Sequence, residues 1–535
     1  VVDRSVNGAA PATSSGRWKL DADTARQTQG LVASHFGHLP AAEALFLQLP
    51  DGAGGQWLTA LRQVVKVSDA SGSREDTRAA AVAFTWSGLA QMKLPAEALA
   101  SFSAPFREGM HQVDRQRRLR DDPALGTVIA GGARWSGNMR DTLSPPAADG
   151  AAVASTPLTV HCALLLYAPD EAALDAQVAQ VKAVLQAQQV SISHRLRLSL
   201  RTDADGISRE HFGFADGISQ PVPTGPAITP PTGPDVQAQL HWHGVKAGEI
   251  LLGHENIHNE LAPGPVVSNA VTGASQLSAA GAPQGFVNLG LNGSYLVIRE
   301  LRQDVAAFWQ SMDHTANVLA AQGARPQANG QAPDGRWVAE HIVGRSLDGN
   351  VLVPPVQAYQ PSPTPPASVA PMANNFGYAH TDAHGMGCPL GSHIRRANPR
   401  DSLPSRDGAK PDLAAAEELL SAANAHRILR RGRKFGPEIT NPRKDDGQQR
   451  GLLFMCLNAD LVRHFEFIQQ TWLLNPSFAT LFDETDPLLG PPGKMSIPAC
   501  PLRWRPDVHT YVQMVGGEYF FLPSIPALDF LSTLF

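Results

Sequence analysis

Short apolar runs of strand length alternate along this chain with stretches whose apolar residues recur every three to four positions, and the alternation comes in two rounds. In the first, ALFLQLP (44–50) and AAAVAFTW (79–86) read as strands, and GGQWLTALRQVV (54–65) between them reads as a helix. LTVHCALLLYA (158–168) is a further strand. EAALDAQVAQVKAVLQAQ (171–188) is a helix, because Leu174, Val178, Val181 and Leu185 fall on one face, and VSISHRLRLSL (190–200) closes the round. In the second, GSYLVIREL (293–301) runs into the helical RQDVAAFWQSM, and GLLFMCLNAD (451–460) runs into the helical LVRHFEFIQQTW. HTYVQMVGGEYFFLP (509–523) has the pattern of a hairpin turning at Gly516-Gly517. Two βαββαβ halves are expected, each an antiparallel sheet with helices packed on it, in an α+β chain.

Proline- and glycine-rich segments near 142–157, 221–234, 323–335 and 353–371 mark loops and joints. The expected division is a flexible N-terminal arm over 1–30, one half over 31–220 and the other over 236–535. The composition then narrows the function. At 535 residues and 43% hydrophobic content a large core is available, while a net charge of −5 and the lack of a long basic run leave no footprint for nucleic acid. Cys162, Cys388, Cys456 and Cys500 are far apart and form no CxxC or CxxCH, which speaks against a zinc ribbon and against covalently attached haem. No apolar run has the length to span a bilayer, and VVDRSVNGAAPATSSG reads as a polar arm. A cytoplasmic protein acting on small molecules is expected, although a chain that starts at Val1 leaves room for a trimmed leader.

Three segments carry the chemistry. EHFGFADGISQP (210–221) sets Asp216 between Gly213 and Gly217, a carboxylate on a tight turn, with Phe212 and Phe214 expected to form an apolar wall beside it. CPLGSHIRRANPR (388–400) holds one histidine among three arginines, and HRILRRGRKFGPE (426–438) is an arginine-rich strand. A buried anionic cofactor accounts for both basic clusters and for the histidine.

On these segments the chain resembles the dye-decolorising peroxidases, haem enzymes built from two ferredoxin-like halves with the haem between sheet and helices of the C-terminal half. FADGISQP matches the family's GxxDG motif, HIRRANPR its proximal-histidine segment and ILRRGRKFG its distal-arginine segment. Further matches, among them NGSYLVIRELRQDVAAFW, VGRSLDG and GEYFFLPSI, run in the family's order from about residue 30 to 525. The resemblance implies a non-covalent haem b (iron protoporphyrin IX), with hydrogen peroxide and a bulky aromatic or dye-type donor as substrates, and it is compatible with a homo-oligomer. It implies His393 as the axial metal ligand, Asp216 as the distal acid-base and Arg430 as the fixed charge. Arg400 and Arg345 are implied at the haem propionates, Leu452 and Phe454 in the distal pocket, and Asp460 on the free nitrogen of His393, with Glu466 behind it. The chemistry agrees: splitting a peroxide needs a base that moves a proton and a cation where negative charge develops, and guanidinium stays charged.

Rival readings attach to the same segments. His380, His384 and Cys388 compete with His393 for the iron. Arg430 and Arg431 are adjacent and in a strand face opposite sides, so one of them reaches the haem, and the motif spacing selects Arg430. GHENIHNE (253–260) contains HExxH at 254–258, the signature of a zinc metallohydrolase, but Pro263-Gly264 follows closely and Leu261 stands where a further glycine would be needed. TDADGISRE fails as a calcium loop because Arg201 and Phe212 occupy the terminal carboxylate positions. A non-catalytic haem carrier on the same fold is the remaining alternative. Large donors would deliver electrons through side chains, with Trp472 and Tyr511 as candidates.

Overall fold

The structure is a computed structural model that describes residues 17–137, 157–203, 206–325, 330–353, 374–379, 381–403, 413–498 and 503–535. In the first half, β1 (Ala41–Gln48), α1 (Gln56–Val64) and β2 (Ala79–Phe84) are followed by β3 (Cys162–Ala168), α2 (Glu171–Ala187) and β4 (Ser191–Ser199). In the second half, β5 (Ser294–Gln303) leads into α3 (Val305–Ala321), followed later by α4 (Gly335–Val343) and α5 (His393–Ala397). An interrupted strand follows, β6 (Leu429–Arg430) and β7 (Arg433–Phe435), and then β8 (Gly451–Asn458) and β9 (Val512–Leu522).

The strand order is β2-β3-β1-β4 in one half and β6/β7-β8-β5-β9 in the other. Each half therefore sets its first and third strands in the middle and its second and fourth at the edges, the ferredoxin-like arrangement in both. The edges join: β9 meets β2 through the pair Phe521 and Phe84, and β4 meets β7 through Ser199 with Lys434 and Leu198 with Phe435. Because β5 also pairs with both β8 and β9, the principal strands close into a ring and leave no open edge in the sheet.

Alternation along the strands separates two cores. Ala42, Ala44 and Phe46 of β1 share one cluster with Leu296, Ile298, Leu453 and Met455 from the other half. The opposite positions, among them Leu45, Leu47 and Val297, pack with Trp57, Leu58 and Leu61 of α1, with Leu174, Val178, Val181 and Leu185 of α2, and with Phe308 and Met312 of α3. Burying one such Leu side chain contributes about 1.5–3 kcal/mol.

Three expectations change. Gly516-Gly517 is no turn. Val512–Leu522 is one strand against β5, with a bulge where Glu300 faces Gly516 and Leu301 faces Met514. A Cβ on Gly516 would lie 2.5 Å from the Trp135 ring and one on Gly517 2.9 Å from the Ile298 carbonyl, so the glycines admit close neighbours rather than reverse the chain. LVRHFEFIQQTW winds as two π-helical stretches, Val462–Glu466 and Ile468–Leu473. Within the expected arm, Ala22–Gln27 is a helix whose N-cap Asp21 accepts from the amides of Asp23 and Thr24 at 2.9 and 3.0 Å; residues 1–16 lie outside the described residues. The HExxH segment forms turns, not a helix, with His254 Nε2 2.7 Å from Asn292 Oδ1 and Glu255 bridged to Leu261, so its histidines do not share a helical face. Among the described residues no helix is long and apolar enough to cross a membrane.

Candidate active site

The turn carrying Asp216 is fixed through its backbone. Gly213 and Gly217 take φ of +101° and +75°, a region costly for residues with a Cβ. The Asp216 amide donates to the Ser208 carbonyl at 2.8 Å and the Ala215 amide to the Leu347 carbonyl at 2.9 Å. Phe212 and Phe214 do not form the expected wall beside Asp216. Both are buried in the helix-side core, where Phe212 stacks on Phe308 of α3 at 4.4 Å. The aromatic flank anchors the turn and leaves the carboxylate open, with 39% of its side chain exposed.

Arg430 stands beside it, Nη1 3.5 Å from Asp216 Oδ1, with Nη2 donating to the Ser219 carbonyl at 3.2 Å. Gln220 clamps the backbone, accepting from the Arg430 amide at 3.0 Å and donating to its carbonyl at 3.3 Å. Arg431 points away and donates from Nε to the Leu31 carbonyl at 2.7 Å. The structure thus brings Arg430 to Asp216 and spends its neighbour on the N-terminal segment. Arg430 pairs with Cys456 across the sheet, which puts it on the same face as the half-buried Leu452 and Phe454.

His393 opens α5 immediately after its N-cap Ser392. Its Nδ1 lies 3.2 and 3.1 Å from Oδ1 and Oδ2 of Asp486, leaving Nε2 as the nitrogen for a metal. Burial pushes the Asp486 carboxyl upward, but His393, Arg396 and the Leu489 amide outweigh it and hold the group below the usual carboxylate range. Asp486, not Asp460, is therefore the partner of His393. Asp460 instead accepts the Arg463 amide at 3.0 Å, and Glu466 binds Arg115 Nη1 at 2.5 Å and the Tyr519 hydroxyl at 2.7 Å. Among the rivals, His384 is exposed, and Cys388 is buried with Sγ 3.3 Å from Ser392 Oγ; His380 lies outside the described residues.

A cationic cluster links the two sides. Arg345 donates from Nη2 to Asn374 Oδ1 at 2.7 Å, and Arg400 donates from Nη1 to the Asn374 and Phe376 carbonyls at 2.7 and 2.9 Å while lying 4.0 Å over the Phe376 ring. Asn374 Nδ2 in turn donates to the carbonyl of Ile218, two residues after Asp216. Sequence reading missed Arg427, whose Nη2 is 3.4 Å from Ser219 Oγ and whose Nη1 is 3.5 Å from Nδ1 of the buried His243. Burial, with Arg345 adding to it and Tyr378 opposing it, lowers Arg400 to about 10, and burial together with Arg400 and Arg430 lowers Arg427 to about 9. His243 is pushed well below its usual value by burial and by Arg400, Arg427 and Arg345. Arg400 and Arg427, buried guanidinium groups bonded to carbonyl, amide, hydroxyl and imidazole groups, fit an anionic group supplied from outside the chain. With the free Nε2 of His393 and the Asp216–Arg430 pair, the donor set fits haem.

Asp486 was illegible in the sequence because it is 93 residues from His393 and stands among Asp483 and Glu484 with no motif of its own. Arg427 carried one unused signal, its place three residues before Arg430 in the same basic run. Trp472 and Tyr511 are both buried, with Trp472 behind α5, where its carbonyl accepts from Arg396 at 3.2 Å, and the Tyr511 hydroxyl 2.6 Å from Ser311 Oγ.

No family model matches the chain. Its sequence is 28% identical to a multifunctional dye peroxidase of Amycolatopsis sp. over 466 residues, 84% of this chain and 81% of that protein. It is 27% identical to a dye-decolorizing peroxidase of Mycetinis scorodonius over 398 residues, 69% of this chain and 65% of the other. Among solved structures, a DyP-type peroxidase of Anabaena sp. superimposes with a TM-score of 0.67 at 24% identity, over 96% of this chain and 95% of that one. A decolorizing peroxidase of Auricularia auricula-judae does so with a TM-score of 0.65 at 22% identity, over 95% and 100%. The fold is shared with both.

Proposed function

We propose that the chain is a dye-decolorising peroxidase, like its relatives at 28% and 27% identity, and that it binds haem b non-covalently, reduces hydrogen peroxide and oxidises bulky aromatic or dye-type donors by single electrons. Bound haem supplies the iron at which the O–O bond is broken and to which the donor's electrons pass. The observation that carries the reading is the half-exposed Asp216 carboxylate with Arg430 3.5 Å away, laced through Asn374 to the buried Arg345 and to Arg400, which follows His393 by seven residues in the chain.

Asp216 takes a proton from one peroxide oxygen and returns it to the other, the leaving oxygen. Arg430 holds a fixed charge where negative charge develops, a contact worth about 3–4 kcal/mol in the transition state. His393 Nε2 would hold the iron, and Asp486, bonded to Nδ1, fixes the tautomer and raises the basicity of the ring. Arg345, Arg400 and Arg427 would hold the haem carboxylates, and Leu452 and Phe454 would pack against the haem beside Arg430. Electrons from donors too large for the pocket pass through Trp472 or Tyr511.

The test is the absorption spectrum of the purified protein before and after peroxide. An intense Soret band that shifts on adding peroxide and returns with a phenolic donor is expected. A Soret band that peroxide leaves unchanged would identify a haem carrier, and no Soret band together with bound zinc would revive the metallohydrolase.

A further inference from the structure

Glu210 has no part in the chemistry described above, yet its carboxylate takes three hydrogen bonds beneath the distal turn. Its Oε2 accepts from the Phe212 amide at 2.8 Å and from Gln303 Nε2 at 2.6 Å, and its Oε1 accepts from the Phe214 amide at 2.8 Å. Its backbone closes the same loop, the amide donating to the Phe214 carbonyl at 3.1 Å and the carbonyl accepting from the Gly213 amide at 2.9 Å. The loop is anchored further by Trp309 Nε1, which donates to the Phe212 carbonyl at 3.1 Å, and by Arg209 Nη1, which donates to the Gly213 carbonyl at 3.1 Å. One rigid carboxylate plane thus spans Phe212 to Phe214, and Asp216 leaves that span two residues later.

This is an expensive way to satisfy two amides. The side chain is turned inward to neutral donors, Asp216 adds a like charge nearby, and burial pushes the carboxyl up to about 7. Arg209, the nearest cation on the loop, gives its guanidinium to Asp203, Asp348 and the Gly213 and Leu347 carbonyls instead. His211 faces the other way, with Nε2 2.8 Å from the Phe435 carbonyl. What the ionised carboxylate, the form above about pH 7, provides here is an acceptor at both ends of one plane. A glutamine would turn an N–H toward one of the two amides.

We propose that Glu210 is the positioning residue for the proton-transferring carboxylate, setting the curvature of the turn and hence where Asp216 stands against Arg430. This rests on the reading of Asp216 as the distal acid-base. Gln303, at the end of β5, ties that curvature to the central sheet.

The experiment is a double-mutant cycle on the holoenzyme with Glu210→Gln, Asp216→Asn and both together, read by stopped-flow Soret changes on mixing with hydrogen peroxide and separately with cyanide, whose binding also needs a distal base. Glu210→Gln should slow both reactions by on the order of tenfold to a hundredfold, as a displacement of about 1 Å does at a catalytic group. In the Asp216→Asn background it should add less than about twofold. Hydrogen–deuterium exchange of the 210–217 peptide should rise in Glu210→Gln whether or not haem is loaded. Equal losses in both backgrounds, or unchanged rates in the single variant, would overturn the proposal. An Asp216→Asn protein that reacts at the wild-type rate would instead overturn the reading of Asp216. If Glu210→Gln does not fold, Gln303→Leu removes one tie and keeps the carboxylate; its smaller loss should likewise vanish in Asp216→Asn, and a loss that persists there would sink the proposal.

Discussion

The two faces of the candidate haem site are built to opposite rules. On the distal side, Asp216 and Arg430 keep 39% and 37% of their side chains exposed and meet at only 3.5 Å. On the proximal side, the Asp486 side chain is 0% exposed and holds His393 with both oxygens while also accepting from the amides of Leu488 and Leu489. The difference follows from the work proposed for each. A proton carrier has to reach a small substrate that comes and goes, so its carboxylate stays open and its precision comes from the backbone beneath it. A ligand orienter never changes partner, so it is sealed in and tied from every side.

The comparison breaks most decisively at His393. His393→Ala should remove the axial bond, with loss of the normal Soret band and of peroxidase turnover. Full Soret intensity with intact turnover would move the ligand to His380, His384 or Cys388. Next on the distal side, Arg430→Leu should slow the reaction with peroxide by about a hundredfold to a thousandfold while the haem spectrum stays normal. Unaltered stopped-flow traces would mean that the fixed charge resides elsewhere.

The proximal partner gives a sharper contrast. Asp486→Asn should retain haem but raise the iron reduction potential, and the peroxide reaction should fall by about tenfold to a hundredfold. Asp460→Asn should leave the potential where it was. If the two variants behave in the reverse way, the bond seen from Asp486 to His393 is not the one that tunes the iron.

The smallest expected effect is on stability against pH. The folded-state pKa of Glu210, about 7, lies above that of a free glutamate near 4.3. Between those values the folded chain keeps a proton that the unfolded chain has released, so stability falls as pH rises from about 4.3 to about 7 and levels off above. Asp486 has the opposite sign: its pKa is depressed, so its contribution is present above the free-aspartate value near 3.9 and is lost as pH falls through the lower folded value. The difference in Tm between wild type and Glu210→Gln should therefore change in favour of the variant from pH 5 to 7.5. A difference that stays constant over that range would show that Glu210 does not titrate there.

Much of the fold was legible because its signals are local. The periodicity in EAALDAQVAQVKAVLQAQ needs only the chain's own geometry, and α2 covers Glu171–Ala187 with the same four residues buried. Gly516-Gly517 misled because a glycine pair signals a turn only when nothing else needs the space, and here the Trp135 ring does. In the same way Phe212 and Phe214 were legible as an anchor but not as to what they anchor against, since Phe308 lies on a helix nearly a hundred residues away.

By itself the sequence determined the two βαββαβ rounds, the turn that carries Asp216, and the separation of Arg430 from Arg431, because alternation in a strand sends neighbours to opposite faces. Only the tertiary structure decided that the two sheets close into a ring, that Asp486 rather than Asp460 meets His393, that Arg427 joins Arg345 and Arg400, and that Glu210 lies under the distal turn. Those are pairings between segments far apart in the chain. Among chemically equivalent carboxylates and guanidiniums, the one that is used is the one that packing delivers to within about 3 Å of its partner, and no local pattern encodes that distance.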